Sequence, residues 1–298
     1  MASFLDKYRK NKSELMKKVL ERVDAESNNY PKDDRFWTLT RDKEDKGEAV
    51  IRFLPDIHSD ENWVKILHHS FQGPSGSWYI ENSLRTIGQE DPVNNANKKL
   101  YATGNADDEA IAKKRGTKTT YISNILVVKD KNNPENEGKV FLFKYGKSIF
   151  EFISTAIKPK FDDDEAFLPF DPFEGRNFAI KIYKSDKNQQ FTYEASKFLK
   201  ESAIGDSDEE IEEILNQTYD ITEFIADDQF KSYGELNKRF LQVWEGGTSE
   251  NEYTDEEEEE EDVEEEQPRT QKKASPPPKV SKKDDDDEDD DDDLDFFK

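Results

Sequence analysis

The sequence predicts an α+β protein: a small β-barrel or open β core with appended helices, a basic helical arm in front and a disordered acidic tail behind. Three observations carry this. Residues 48 to 183 contain short runs rich in β-branched and aromatic residues, broken by turn chemistry. Residues 208 to 244 change to a helical period, and strands followed by helices is the α+β pattern. Charge is also strongly partitioned: the net −25 of the 298 residues divides into +4 over residues 1–22, −3 over 23–199, −9 over 200–249 and −17 over 250–298.

The arm comes first. Leu15, Met16, Val19, Leu20 and Val23 stand at helical spacing among lysines and arginines, with no Gly or Pro to interrupt them, so residues 4–24 form a basic amphipathic helix. A polar stretch from Glu26 to Asp34 detaches it, which sets domain limits of 1–25 for the arm, 26–245 for the core and 246–298 for the tail.

Within the core, EAVIRFLP (Glu48 to Pro55) reads as a strand ended by proline. WVKILHHSF (Trp63 to Phe71) and SWYIEN (Ser77 to Asn82) flank Gln72-Gly73-Pro74-Ser75-Gly76 and make a hairpin. TTYISNILVVKD (Thr119 to Asp130) is the strongest strand, with KVFLFKYG (Lys139 to Gly146) as its antiparallel partner. A short helix (Ser148 to Ile157), a strand NFAIKIY (Asn177 to Tyr183) and helices at Asp208 to Gln217 and Phe230 to Trp244 complete the core.

Several function classes fall away. The chain has no cysteine, so it has no disulfide, thiolate nucleophile or cysteine-based metal centre. No apolar run marks a signal peptide and none reaches 18 residues, which predicts an intracellular protein that does not span a membrane. His68 and His69 are adjacent on a strand and point to opposite faces, a poor chelating pair. Nucleophile-elbow, phosphate-loop and dinucleotide glycine patterns are all missing. Asp162-Asp163-Asp164-Glu165 reads as a solvated loop rather than a metal site.

What remains is cations beside flat rings. Between Lys98 and Lys147 there are 11 bases against 6 acids, interspersed with Tyr101, Tyr121, Phe141, Phe143 and Tyr145. AKKRGTKTTY (Ala112 to Tyr121) sets Lys113, Lys114, Arg115 and Lys118 on a glycine-containing loop leading into the strongest strand. Cations that track phosphates and rings that stack on unpaired bases are what a single-stranded nucleic-acid groove requires. Aromatics in strands also build cores. Period-2 alternation puts Phe141, Phe143 and Tyr145 on one face and Val140, Leu142 and Lys144 on the other, and leaves open which of the two is the main core.

Taken together, GEAVIRFLP, the hairpin at SWYIE, YISNILVVKD, NPENEGKVF, Tyr145-Gly146-Lys147 and YEASKFL (Tyr193 to Leu199) resemble the single-stranded DNA-binding proteins of T4-like bacteriophages. The resemblance runs from the arm to about residue 244. It implies an OB-fold core that grips single-stranded DNA, an arm for cooperative contact between copies, and an acidic tail. Arg9, Lys10, Lys12 and Ser13 match the family's basic-plus-hydroxyl arm motif, with one asparagine interposed. A second copy of that motif matches Lys113, Lys114, Arg115 and the threonines after it. The family's groove aromatics correspond to Trp78, Tyr79, Tyr101, Tyr121, Phe143 and Tyr193; with Arg52, Lys118 and Lys144 these are the candidate DNA-binding residues. One family tyrosine falls near Ala112 and a tryptophan at Ile122, so the stacking surface differs there.

The resemblance also implies a structural zinc held by one histidine and three cysteines, yet the corresponding positions are His69, Ser83, Asp91 and Asn94. One imidazole and one carboxylate do not make a tetrahedral structural site, so no zinc and no other cofactor is expected. The expected function is that of a non-enzymatic protein that coats and protects single strands during phage replication, recombination and repair, in the cytoplasm of the infected bacterial host. Its expected partners are single-stranded DNA, further copies of itself, and replication and recombination proteins reached through the tail. The alternative is an acidic-tailed chaperone of basic, histone-like proteins; a nuclease is disfavoured because no carboxylate and histidine constellation is visible. The ten consecutive acids Asp284 to Asp293, followed by Leu294, Phe296 and Phe297, suit a tethered competitor of DNA or a docking peptide.

Overall fold

Nine strands and five α-helices account for the regular structure among the described residues, which in this computed structural model are 33–161, 164–185 and 189–244. The arm (with Arg9, Lys10, Lys12 and Ser13), the tail from residue 246 on, and Asp162 and Asp163 lie outside them. The strands are β1 (Phe36–Trp37), β2 (Gly47–Leu54), β3 (Val64–Gln72), β4 (Trp78–Asn82), β5 (Thr117–Asp130), β6 (Val140–Tyr145), β7 (Arg176–Lys184), β8 (Phe191–Thr192) and β9 (Lys197–Glu201). The helices are α1 (Pro92–Tyr101), α2 (Ala106–Lys114), α3 (Lys147–Ile157), α4 (Asp208–Leu215) and α5 (Tyr233–Trp244).

The 14-residue β5 organises a curled, half-barrel sheet. Its first half pairs with β3 (His69↔Thr117 to Val64↔Ile122), its second half with β2 (Leu54↔Asn124 to Ala49↔Asp130), and β6 runs along its other edge. A register shift at Val50/Ile51 marks an irregularity in the β2–β5 pairing, and β2 pairs with β7 along its other edge. All pairings are antiparallel except β1 with β6.

Buried clusters lie on both faces of the sheet. The main core, with Ile51, Phe53, Tyr121, Ile125, Phe143, Tyr145 and Phe178, is closed by α3 through Ile149 and Ile153. On the other face Val64, Ile66, Ile122 and Leu142 lie under a 3-10 turn at Ile221–Ile225, and Leu54, Leu126 and Val140 lie under α4. A separate cluster of Phe71, Tyr79, Val93, Phe240 and Val243 joins the β3–β4 hairpin, α1 and α5.

The hairpin was readable from Gly73 and Gly76. Gly76 has φ of +83°, and Gly73 is required by proximity, since a Cβ there would lie 2.1 Å from the Val243 carbonyl oxygen at the end of α5. The expected strands and rear helices are present with ends shifted by a few residues, the last helix beginning at Tyr233 rather than Phe230. One expectation needs correcting. The segment from Ala112 is not a loop, because α2 continues to Lys114, capped by Asn105 at its start, and α1 precedes it.

Candidate nucleic-acid interface

Strand register places part of the predicted set on one surface. Opposite partners in antiparallel pairing share a face, so the rows Trp78–Gln72, Ile80–Ser70 and Asn82–His68–Lys118 lie side by side across β4, β3 and β5. Trp78 is 52% and Ile80 59% exposed, with Lys118 half-buried beside them. By strand geometry Trp78 and Lys118 are roughly 16 Å apart. Gly116 connects Lys118 to Lys113 and Lys114, which are exposed in the last turn of α2. Tyr101, 46% exposed, ends the adjoining α1. Lys144 lies on the same sheet face but farther along; its Nζ is 5.0 Å from the Phe36 ring centre, and burial lowers its pKa against the pull of Asp33.

His68 sits among these cations. Burial, reinforced by Lys118, His69 and Lys144, lowers its pKa to about 4, so the ring is neutral at physiological pH.

Five predicted contact residues are inside the protein. Arg52 is fully buried, and its Nη2 donates to the carbonyls of Asp171 (2.7 Å) and Ser202 (2.9 Å). Burial lowers its pKa to about 10, and a Cβ at Gly175 would sit 2.7 Å from Nη2, so this glycine makes room for the guanidinium. Arg115 is also buried, with its guanidinium carbon 4.4 Å from the Trp244 ring centre and 5.2 Å from that of Phe240. Tyr79 stacks on Phe71 at 5.0 Å; Tyr121 stacks on Phe150 of α3 at 4.0 Å with planes 3° apart; Phe143 meets Trp37 edge-on at 5.3 Å. These side chains serve packing here. Alternation had separated the two faces correctly, but segments distant in the sequence cover both.

Sequence reasoning missed a second cluster. Tyr193 is half-buried against the main core, with its pKa pushed up to about 12 by burial. Two residues before it, the Phe191 ring has Arg41 at 4.3 Å and Lys184 at 5.3 Å from its centre. No local signal reveals this, because the three residues come from separate segments; only the β7–β8 pairing Lys184↔Phe191 brings two of them together.

His69, Ser83, Asp91 and Asn94, the positions implied for zinc, do converge. His69 Nδ1 donates to the Arg115 carbonyl (2.9 Å), and Nε2 lies 3.2 Å from Asp91 Oδ1. Ser83 Oγ donates to Asp91 Oδ2 (2.9 Å), and the Asn94 amide donates to Asp91 Oδ1 (2.9 Å) as the cap of α1. Burial pushes the Asp91 carboxyl up, but the bonds from His69, Asn94 and Ser83 outweigh it and hold the pKa below the usual value. These donors are already committed to one another and supply no thiolate, so they do not fit a tetrahedral zinc. Among the described residues, no group of three or more His, Cys, Asp or Glu could hold a metal ion.

A curled sheet that presents the exposed Trp78 and Lys118 on one surface, with Lys113, Lys114 and Tyr101 on the adjoining helices, suits the binding of a polyanion with flat bases. Comparison with known proteins gives the same class. The family model described as gp32 DNA binding protein like matches residues 45–244. The single-stranded DNA-binding protein of Enterobacteria phage T2 is 37% identical over 245 residues, 79% of this chain and 78% of that protein. Its counterpart from Enterobacteria phage T4 is 40% identical over 217 residues, 70% of this chain and 69% of its own length. The single-stranded DNA-binding protein of Escherichia phage SV14 is 34% identical over 84 residues, 28% of this chain and 74% of that protein. The chain belongs to the gp32-like family of DNA-binding proteins, which are not enzymes. Among the described residues, no helix is long and apolar enough to cross a membrane.

Proposed function

We propose that this chain is a sequence-tolerant, cooperative single-stranded DNA-binding protein that coats and protects transient single strands in phage replication, recombination and repair, in the cytoplasm of the infected host. The observation that carries the reading is the exposed Trp78 on the sheet face that also presents Lys118, next to Lys113 and Lys114. Bases stack on Trp78 and Tyr101, and the lysines follow the phosphates. The Arg41–Phe191–Lys184 cluster and Tyr193 extend the contact surface, and Lys144 adds a further cation. We read the curled sheet as an OB fold, whose long central strand serves both halves. We read the zinc site implied by family resemblance as lost, on the support of the hydrogen-bonded cluster around Asp91. Arg9, Lys10, Lys12 and Ser13 in the arm mediate contact between neighbouring copies, and the acidic tail competes with DNA and reaches replication partners.

Fluorescence titration with poly(dT), on the full chain and on a chain ending at Gly247, tests this. Four cations, Lys113, Lys114, Lys118 and Lys144, predict that log K falls with log salt at a slope of about −3. The shortened chain binds DNA more tightly; a full chain that ignores poly(dT) but binds a basic protein such as histone, and loses it when shortened, is instead an acidic-tailed chaperone. An affinity that ignores salt overturns the proposed interface. Charge reversal at Arg9, Lys10 and Lys12 weakens binding to long poly(dT) and spares an isolated short oligonucleotide.

A further inference from the structure

A groove between α3 and β9 takes no part in the interface above. Its cavity is about 470 Å³, within the range of about 300 to 1,000 Å³ typical of ligand sites. The floor is aromatic: Phe152 from α3, Phe167 from the following loop and Phe198 from β9, the last two edge-on at 5.2 Å. Its rim is mixed in charge. Arg176 lies over Phe167 at 4.1 Å and is paired with Glu165 at 2.8 Å; Glu151 is paired with Lys160 at 3.1 Å; Lys197 and Asp164 add one charge of each sign.

We infer that this groove seats the C-terminal segment Leu294–Lys298 of the same chain. Apolar rings call for an apolar anchor, and Leu294–Lys298 carries two adjacent phenylalanines, Phe296 and Phe297, after Leu294. The rim mismatches a polyphosphate, since three lining acids oppose two lining bases. It matches a tip with Asp295 on one side of the rings and Lys298 on the other. Reach is sufficient: 54 residues follow Trp244, and a coil of that length has an r.m.s. span of about 40 Å, against a radius of gyration of about 17 Å for a core of about 200 residues. Tethering makes even a weak contact well populated in one molecule. The inference does not rest on DNA binding, because none of the residues that line the groove belongs to the proposed interface.

The test uses a fluorescein-labelled peptide of residues 288–298 and the full chain carrying Phe296→Ala and Phe297→Ala, which frees the groove. Anisotropy shows saturable binding. Thr155→Trp, which fills the groove, and the exposed rim change Lys197→Glu, which leaves the core untouched, each weaken it at least tenfold in that background; thermal melting confirms that both fold. The unaltered full chain binds the peptide at least tenfold more weakly, because its own tip is in place. The inference is overturned if the groove-free chain does not bind the peptide, if Thr155→Trp and Lys197→Glu both bind it undiminished, or if the unaltered chain binds it equally well.

Discussion

Asp91 accepts at 3.2 Å from the His69 ring, with 0% and 1% of the two side chains exposed, and this bond ties strand β3 to the start of helix α1. Asp91→Ala removes the common acceptor of His69, Ser83 and the Asn94 amide. Leaving buried polar groups and a buried partner without it costs about 3 kcal/mol, read from the urea midpoint at neutral pH. Adding a chelator leaves the melting temperature of the wild-type protein unchanged; a clear drop on chelation would establish a metal that these residues do not account for.

At Trp78 the expectation is the opposite split. The ring is half in solvent, so Trp78→Ala changes the melting temperature little. Loss of one base stack, worth about 1 to 3 kcal/mol, lowers the affinity for oligo(dT) roughly five- to 150-fold. An unchanged affinity in an anisotropy titration removes Trp78 from the interface.

Arg52 supplies the contrast. Its guanidinium holds the Asp171 and Ser202 carbonyls from inside the protein. Arg52→Met lowers stability by about 2 to 4 kcal/mol through the two lost charged hydrogen bonds, and it leaves DNA affinity intact at temperatures where the variant is folded. A variant that melts normally and binds poorly reverses this assignment.

His68 makes stability depend on pH. Its folded pKa of about 4 lies below the unfolded value of 6.5, so in between only the unfolded chain takes up the proton. Stability therefore falls as pH drops through that window, by up to about 3 kcal/mol from this group alone. Asp91, whose pKa is lowered, withdraws its contribution only as the pH falls further, below 3.8. His68→Gln flattens the dependence between pH 6.5 and 4 in denaturation series; an unaltered slope places its source elsewhere.

Much of the fold could be read along the chain because the strongest elements are locally explicit. Of the eight β5 residues from Tyr121 to Val128 six are apolar and four β-branched, and the Gly73–Gly76 turn admits little but a hairpin. α1 was not read, although Asp91 and Pro92 are a regular helix start, because PVNNANKKLY buries only Pro92, Val93 and Asn97 and so shows no apolar stripe. α2 had a cap at Asn105, acids in its first turn and lysines in its last, but only Ala112 is buried. The candidate site was half visible for a related reason. Periodicity assigns a residue to a face, and whether a face meets solvent depends on what folds over it. Tyr121 is covered by Phe150 and Arg115 by Trp244, partners 29 and 129 positions away, while Trp78 stays half exposed among the described residues. Local reading also assumes that cations lie outside, and Arg52 and Arg115 do not.

The polar knot around Asp91 has a consequence for the life of the protein in its environment. The side chains of His69, Ser83 and Asp91 hold strand β3, the turn after β4 and the start of α1 together through hydrogen bonds that the chain itself supplies. With no cysteine anywhere in the chain, peroxide and other oxidants find no thiol there to attack.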